Sequence, residues 1–368
     1  MNNVDKNLSY KFYSSTLKAW EAMYRQVLGA YKSIYWEVYI FIDDQAGSKF
    51  VDLLCEKAKQ GTDVKIIVDA FGSFGLSQIS INRLNNAGAE VIIFNPLSPN
   101  LLKMRQWWSR VWSRTHCKIL IIDEEIAFIG GVNIQQHMEK WDDLHLMLKG
   151  EIVNQLLRYF ASKYTKAGGS RKSVRHFFKR SLTKESSKIK FLAHSPRYRY
   201  KRSPIRRFYK TALLSAKESF NILSPYYSPD PRFLEMIFRA SRRGVKVNII
   251  LPFKNDLILM HYMARAFYGI SKKAGAIFFF LRKMNHGKAI TSDNNLGMVG
   301  SANMTPRSFF LNHEAGVIFT DTQMVSDLNG ILDNWKSQAD PLLEMDFKKQ
   351  GWFKRFKSWW AMRLKDHV

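Results

Sequence analysis

The sequence predicts an α/β protein built from two similar halves, and three observations lead to that prediction. Short apolar runs rich in Val, Ile and Phe alternate with helical stretches, which is typical of strands buried in a mixed sheet. The pattern H-x-K-x4-D-x6-G-x-x-N occurs twice, in "THCKILIIDEEIAFIGGVNI" (115–134) and "NHGKAITSDNNLGMVGSANM" (285–304). The length of 368 residues, with 46% hydrophobic residues, is enough for two sizeable cores.

The order of elements is the same in the two halves. In the first half, the strand in "YKSIYWEVYIFIDD" (31–44) is followed by a helix and by "GTDVKIIVDAFGS" (61–73). In the second half, "AKESFNILSPYYSPD" (216–230) is followed by a helix and by "GVKVNIILPFKND" (244–256). Each half is therefore predicted to run helix, strand, helix, strand, helix, strand and then the repeated motif.

Each motif is predicted to form two strands joined by a turn. "KILIID" and "AITSD" read as the first strand, and "IAFIGG" and "LGMVGS" as the second. The residues between them, "DEE" and "DNN", are turn formers. Alternate residues of a strand share a face, so a His and a Lys two positions apart are expected to point the same way.

The predicted boundaries divide the chain into four parts. These are a first domain at 1–168 with motif 116–123, a basic linker or arm at 169–203, a second domain at 204–340 with motif 286–293, and a basic, aromatic amphipathic helix at 341–368. The stretch 170–210 holds fifteen Lys or Arg against the single Glu185. It is either a solvated charge run or a surface for a charged partner, and its interleaved aromatic residues favour the second.

Two further segments combine Trp with basic residues, which suits the lipid headgroup region of a membrane. They are the tail "DFKKQGWFKRFKSWWAMRLKDHV" (346–368) and "LLKMRQWWSRVWSR" (101–114). The alternative for the tail is a terminal helix docked on the core of its own domain.

Composition restricts the partner and the compartment. The net charge of +26 predicts a polyanionic partner, either nucleic acid or a membrane rich in anionic lipid. Two cysteines make no disulfide framework, which fits a reducing compartment. The N-terminal residues resemble no signal peptide, and the longest apolar runs are far shorter than the roughly 18 residues that span a bilayer. If the protein meets a membrane, we expect it to lie on the surface.

The two motifs together supply a chemically complete set of side chains if a pseudo-two-fold axis brings them to one site. The candidate catalytic and binding residues are His116, Lys118, Asp123, Asn133, His286, Lys288, Asp293, Ser301 and Asn303. Two lysines balance the charge that a phosphodiester gains as it is attacked, and the amides and the serine hydroxyl add neutral donors. Two histidines supply a nucleophile and a proton donor near neutral pH. This set predicts double displacement through a phosphohistidine, without a metal or another cofactor.

A nucleophilic histidine needs a carboxylate on its far ring nitrogen. Asp143 follows His116, and Glu314 follows His286, at almost the same distance. The motif residues Asp123 and Asp293 close the strand turns and are better explained as structural. Zinc ligation by the histidines is disfavoured by the neighbouring lysines, and a purely structural burial of both sets would be costly.

These residues resemble the signature of the phospholipase D superfamily. Nearly the whole chain resembles bacterial cardiolipin synthases in particular, through blocks such as "EVYIFIDDQAG", "RRGVKVNIILP" and "VGSANMTPRSFFLNHEAGVIF". The resemblance implies two phospholipase D-like α/β/α domains that share one active site. It also implies transfer of a phosphatidyl group from phosphatidylglycerol to a lipid alcohol, giving cardiolipin and glycerol, at the cytoplasmic face of the cell membrane.

The resemblance assigns roles to individual residues. It maps the family's catalytic histidines, lysines and aspartates onto the two motifs, its phosphate-binding asparagines onto Asn133 and Asn303, and its histidine-orienting acid onto Glu314, with Asp143 in the equivalent place. By the same analogy His116 is the nucleophile and His286 the acid, although pseudo-symmetry leaves the opposite order open.

Three departures and three competing functions accompany the resemblance. The two N-terminal membrane helices of many cardiolipin synthases have no counterpart, "GGVN" stands where the second half has "GSAN", and Thr305 and Pro306 replace a more usual acidic residue. A phospholipase D would use water as the acceptor, and a superfamily nuclease would suit the positive charge, although the clustered Trp residues make nucleic acid the less expected partner. A membrane-binding protein without chemistry is disfavoured because both motifs are intact. Phosphatidylethanolamine is a possible second lipid substrate.

Overall fold

The computed structural model describes residues 8–97, 112–180, 188–196 and 203–348, although the side chains of Asp346 and Lys348 are not described. The tail beyond residue 348 and most of the segment 101–114 therefore lie outside the described residues. The same holds for 181–187 and 197–202 of the predicted linker. None of the helices in the described ranges is long and apolar enough to cross a membrane.

The first half forms one seven-stranded mixed sheet with helices around it. Its elements are β1 (Ser9–Ser15), α1 (Thr16–Leu28), β2 (Ser33–Val38), α2 (Gln45–Lys59), β3 (Asp63–Asp69), α3 (Gln78–Asn86), β4 (Glu90–Phe94), β5 (Ile119–Ile122), β6 (Ile126–Gly130), a 3₁₀ helix (Gln136–Met138), β7 (Asp142–Lys149) and α4 (Ile152–Lys166). The strand order is β1-β7-β6-β5-β2-β3-β4. Strands β2, β3 and β4 are parallel, and the other neighbours are antiparallel.

The second half repeats this sheet. After α5 (Arg171–Val174) and a 3₁₀ helix (Arg175–Lys179) come β8 (Ile189–His194), α6 (Pro204–Ser215), β9 (Ser219–Leu223), α7 (Pro231–Arg242), β10 (Lys246–Pro252), α8 (Ile258–Lys273), β11 (Ala276–Leu281), β12 (Ala289–Ser292), β13 (Leu296–Gly300), α9 (Pro306–Phe310), β14 (Glu314–Phe319), α10 (Thr322–Ser337) and α11 (Pro341–Lys348). The order is β11-β10-β9-β12-β13-β14-β8. It matches the first sheet strand for strand when the first order is read from β4 to β1. The predicted fold class, two α/β halves with mixed sheets, is confirmed.

The structure differs from the prediction at the outer edge of each sheet. Strand β8 lies inside the segment 169–203 that was expected to be a linker, and it pairs antiparallel with β14 from Ile189 to His194. Strand β1 pairs with β7 in the same way. Edge strands have one open side and carry polar residues there. Because basic residues also flank β8 in the sequence, its short apolar pattern was not recognised as a strand.

The motif strands begin at or just after the predicted positions. β5 starts at Ile119, one residue later than predicted, and β12 starts at Ala289 as predicted, so each His-x-Lys triplet precedes its strand. The two halves then share a continuous apolar core, which includes Ile129 and Leu146 of the first sheet and Val299 and Val317 of the second. Because burial of apolar surface stabilises the folded state, this shared core holds the two motif regions against each other.

Candidate active site

The backbone next to the motif histidine of each half pairs with the backbone of the other half. Thr115 forms a parallel bridge with His313, and Asp142 forms one with Asn285. The His116 amide donates to the His313 carbonyl at 2.9 Å, and the His286 amide donates to the Asp142 carbonyl at 2.7 Å. These bridges place the residue after His313 beside His116, and the residue after Asp142 beside His286. The two motifs therefore meet in one site.

Each histidine is oriented by a carboxylate from the opposite half. His116 Nδ1 lies 3.0 and 3.1 Å from the two carboxylate oxygens of Glu314. His286 Nδ1 lies 3.0 Å from Asp143 Oδ2. All four side chains are buried. A carboxylate on Nδ1 keeps the proton there and directs the lone pair of Nε2 away from it, which suits Nε2 for attack or proton transfer.

The two lysines occupy equivalent positions. Lys118 Nζ donates to the His116 carbonyl at 2.7 Å and lies 5.1 Å from the centre of the Tyr39 ring. Lys288 Nζ donates to the His286 carbonyl and lies 2.9 Å from both ring nitrogens of His286. Burial lowers the pKa of Lys118 to about 8 and that of Lys288 to about 7. The mutual repulsion of the two lysines further lowers the pKa of Lys288.

The histidines are held neutral and their carboxylates are held charged. Burial lowers the pKa of His116 to about 4, against the opposing effect of Glu314. Burial and the Lys288 charge also lower the pKa of His286. Burial alone would raise the pKa of Glu314 and Asp143, but the facing histidine and lysine outweigh it and hold both below their usual range. A negative ligand between the histidines would favour their charged forms.

The two asparagines of the motif lie in the same region and are buried. Asn133 Oδ1 accepts from the Ile40 amide at 3.2 Å, whereas its Nδ2 has no hydrogen-bond partner within the described ranges. Asn303 Oδ1 is likewise unpartnered in that part of the chain. A buried polar atom without a partner is rare and costly, so Asn133 retains a donor for an anionic ligand at Nδ2 and Asn303 retains an acceptor at Oδ1.

Ser301 has a different position from the one expected. Its hydroxyl donates to Glu314 Oε2 and accepts from the Ala315 amide at 3.0 Å. The hydroxyl proton is therefore committed to the carboxylate that orients His116. This corrects the sequence prediction, in which the Ser301 hydroxyl forms a hydrogen bond to a substrate phosphate. The equivalent residue in the first half is Gly131, where an added Cβ would overlap Asp143 Oδ1.

Asp123 and Asp293 lie at the far ends of β5 and β12, away from the histidines. Asp123 accepts from the backbone amides of Tyr31, Lys32 and Ser33, at 2.7 to 3.3 Å. Asp293 accepts in the same way from the amides of residues 217–219. Both aspartates have positive φ, at 53° and 51°. This geometry supports the structural interpretation of the motif carboxylate and gives it no contact with the reacting groups.

Several residues of the site lie outside the repeated motif and were not predicted from the sequence. The ring of Tyr39 lies 5.0 Å from that of His116, and the rings of Trp141 and Tyr226 lie 5.8 and 6.3 Å from that of His286. Asp69 accepts from the Thr115 amide at 2.9 Å and pairs with buried Arg114 at 3.5 Å. Their positions at strand ends and next to the motif could have indicated a role in the site. Aromatic and acidic residues are common at such positions, however, so position alone does not single them out.

Within the described residues, no cluster of three or more His, Cys, Asp or Glu side chains could hold a metal ion. The groups that surround the histidines are instead lysine and asparagine side chains, with one carboxylate accepting at Nδ1 of each ring. Such a set binds and stabilises an anionic, phosphate-like group.

Comparison with known proteins identifies the family. The model of the PLD-like domain of cardiolipin synthase matches residues 23–164 and 209–335, so each half contributes one copy. The chain belongs to the cardiolipin synthase family of the phospholipase D superfamily. The predicted family and the predicted enzyme class are thereby confirmed.

Curated members of the cardiolipin synthase family resemble the chain over most of its length. Cardiolipin synthase B of Escherichia coli (strain K12) is 30% identical over 94% of this chain and 85% of its own length. The probable cardiolipin synthase YwiE of Bacillus subtilis (strain 168) is 28% identical over 98% of this chain and 72% of its own length. With Cardiolipin synthase 2 of Bacillus cereus the match is 30% identical and spans 64% of the relative.

The fold of this cardiolipin synthase family member is also found in solved structures. The crystal structure of a phosphatidylserine synthase from Haemophilus influenzae Rd KW20 matches with a TM-score of 0.72 at 15% identity, over 98% of this chain and 95% of the other. A polyphosphate kinase from Porphyromonas gingivalis matches with a TM-score of 0.57 at 13% identity, over 89% of this chain and 50% of the other. These likenesses concern the two-domain fold.

Proposed function

We propose that the chain is a phosphatidyltransferase of the cardiolipin synthase type, acting on phosphatidylglycerol through a phosphohistidine. The observation that carries the proposal is the crossed pairing of two buried histidines, each with a carboxylate from the other half. The family membership supports the lipid substrate, and the net charge of +26 supports binding to an anionic membrane. In this proposal the protein acts at the cytoplasmic face of that membrane.

The first half of the reaction forms the intermediate. His116 Nε2 attacks the phosphorus of one phosphatidylglycerol, and the bond from phosphorus to the glycerol oxygen breaks. His286, which the bound anionic phosphate favours in its charged form, gives its Nε2 proton to the departing glycerol. Lys118 and Lys288 balance the charge on the phosphate oxygens, and Asn133 and Asn303 donate to them. Glu314, held by Ser301, stabilises the positive imidazole of the intermediate.

The second half transfers the phosphatidyl group. The glycerol hydroxyl of a second phosphatidylglycerol loses its proton to His286, and its oxygen attacks the phosphorus as the phosphorus–nitrogen bond breaks. The products are cardiolipin and free glycerol, and both histidines return to their starting states. Phosphatidylethanolamine in place of the first lipid would release ethanolamine by the same steps.

Mass spectrometry of lipid products tests this proposal. Purified protein is incubated with phosphatidylglycerol vesicles, with and without phosphatidylethanolamine, in the presence of a metal chelator. We expect cardiolipin and glycerol, and no product from the His116→Ala or His286→Ala variants. Phosphatidic acid alone would mean that water is the acceptor and the protein is a phospholipase D. The absence of any lipid product would contradict the proposal and direct the assay to nucleic acid phosphodiesters.

A further inference from the structure

Two loops at equivalent positions in the two halves carry apolar side chains that the fold leaves uncovered. In the β3–α3 region, Phe71, Phe74 and Ile79 are 62%, 82% and 73% exposed. In the β10–α8 connection, Leu257 and Ile258 are 49% and 72% exposed. Both regions follow the middle strand of the three parallel strands in their sheets. Clustered exposure of this kind marks an interaction surface.

The β3–α3 loop is firmly held, so its exposed rings are not a result of poor packing. Asp69 accepts from the amides of Phe71 and Gly72 at 2.9 and 3.1 Å. Ser73 Oγ donates to the Tyr39 carbonyl and accepts from the Phe41 amide, both at 3.0 Å. Ser73 and Leu76 face inward and are buried, whereas Phe71 and Phe74 face outward. The loop is therefore built to present its phenylalanines to the surroundings.

Both loops border the candidate active site. Gly72 packs so closely on Tyr39 that an added Cβ would overlap its carbonyl oxygen, and the Tyr39 ring lies 5.0 Å from that of His116. In the other half, Asp256 accepts from Tyr226 Oη at 2.9 Å, and the Tyr226 ring lies 6.3 Å from that of His286. Tyr39 and Tyr226 thus connect the two loops with His116 and His286, respectively.

We propose that these two loops, defined by Phe71, Phe74, Ile79, Leu257 and Ile258, insert into the acyl region of an anionic phospholipid monolayer on either side of the active site. The proposal rests on the proposed function, because the substrate is then a phosphodiester that carries two acyl chains. The buried His, Lys, Asn and carboxylate side chains of the site suit the headgroup phosphate, and the exposed apolar side chains of the loops provide contact for the acyl chains at its rim.

The charge distribution favours a lipid surface over a protein partner. The β3–α3 loop at 70–77 carries no charged residue, and the chain as a whole carries +26. Apolar side chains that insert, on a body that is attracted to anionic headgroups, are the combination that binds membrane interfaces. A lipid held between the loops would reach the histidines with its headgroup while its chains stay out of water.

Paired serine variants test the proposal. Phe71→Ser with Phe74→Ser alters one loop, and Leu257→Ser with Ile258→Ser alters the other. The matched control is Phe238→Ser with Ile270→Ser, since these side chains are 46% and 49% exposed on α7 and at the distal end of α8. Each variant is assayed for sedimentation with phosphatidylglycerol vesicles. Turnover is then measured both on vesicles and on short-chain phosphatidylglycerol dispersed as monomers.

We expect each loop variant to lose about tenfold in vesicle turnover and to bind vesicles more weakly, because apolar insertion drives interfacial binding. Turnover of the dispersed lipid and all properties of the control should match the unaltered protein. Equal vesicle binding and turnover in the loop variants would overturn the proposal, as would equal losses on vesicles and dispersed lipid. If the unaltered protein turned over neither substrate, the proposed function would fail, and vesicle binding would still decide the role of the loops.

Discussion

At the scale of single residues, the site contains several buried ionisable groups, although burial disfavours the charged form of each. Lys118 and Lys288 are both buried, and each has a lowered pKa. Two buried ammonium groups without an anion are unfavourable, whereas a phosphate between them removes the repulsion. Binding of an anion to the ligand-free site should therefore be coupled to protonation of the two lysines.

The first prediction concerns the pH dependence of anion binding. The pKa values of Lys118 and Lys288 are about 8 and 7, so both lysines lose their charge as the pH rises through this range. Sulfate keeps its charge throughout and mimics the phosphate. We expect the Kd for sulfate, measured by calorimetry, to rise by about tenfold or more between pH 7 and pH 9. An affinity that does not change with pH would contradict the pKa assignment.

A second prediction concerns stability. The pKa of Lys288 is about 7 in the folded protein against an ordinary value of 10.5, so the unfolded chain binds more protons between these values. The free energy of unfolding should therefore rise with pH across that window. Lys288→Met removes this effect and should raise the free energy of unfolding by roughly 2–4 kcal/mol at pH 7, and by nothing near pH 10.5, while abolishing turnover. Urea unfolding at several pH values measures both, and a variant that is less stable at pH 7 would contradict the account.

The third prediction compares Gly131 with Ser301. A Cβ at position 131 would overlap Asp143 Oδ1, so Gly131→Ala should displace the carboxylate that orients His286 and lower kcat by about 100-fold. Ser301→Ala removes only one hydrogen bond to Glu314 and should cost about tenfold. Rates under substrate saturation give both values. Full activity of Gly131→Ala would show that Asp143 does not position His286.

The sequence predicted the identity of the histidines, lysines and asparagines because their spacing is repeated. It also predicted Glu314 and Asp143 as carboxylates that orient the histidines, and both lie at a histidine Nδ1 in the structure. It did not predict that each acid serves the histidine of the other half, because that pairing depends on the bridges between Thr115 and His313 and between Asp142 and Asn285. Contacts between distant segments leave no local pattern.

At the scale of elements, a side chain near the end of β2 contacts the residue that precedes the first motif histidine. Buried Glu37 accepts from the Thr115 hydroxyl, and Lys163 Nζ on α4 lies 3.8 Å from Glu37. Glu37 therefore joins β2, α4 and the residue before His116. The buried strands β2, β3, β9 and β10 were predicted from their apolar runs, whereas β1 and β8 were missed because one side of an edge strand is polar.

The fourth prediction tests this support. Burial lowers the pKa of Lys163 and raises that of Glu37 in spite of their attraction, so Lys163→Met should lower the free energy of unfolding by only roughly 1–2 kcal/mol, as it leaves the buried Glu37 carboxylate without its partner. Adding Glu37→Gln should recover part of that loss, since the second change removes the charge. Urea unfolding of the two single variants and the double variant forms a complete cycle. A loss below about 1 kcal/mol in Lys163→Met would mean that the pair is neutral in the folded protein.

At the scale of the whole molecule, duplication builds one site out of two incomplete ones. Each sheet supplies a histidine and a lysine, and each also supplies the carboxylate for the other sheet's histidine. The shared apolar core keeps the halves in register. The duplicated α/β architecture could be predicted from the repeat alone, whereas the packing of the halves could not, because it depends on side chains that look like ordinary core residues in the sequence.

The central claim is that one of these crossed histidines carries the phosphatidyl group between lipids. The most direct measurement is mass spectrometry of peptides from protein quenched during turnover of phosphatidylglycerol. We expect a phosphatidyl adduct on the peptide that contains His116, and no adduct in the His116→Ala variant. An adduct on His286 would reverse the two roles and keep the shared site. Cardiolipin formation by a protein that lacks both histidines, or an adduct on any other residue, would contradict the account.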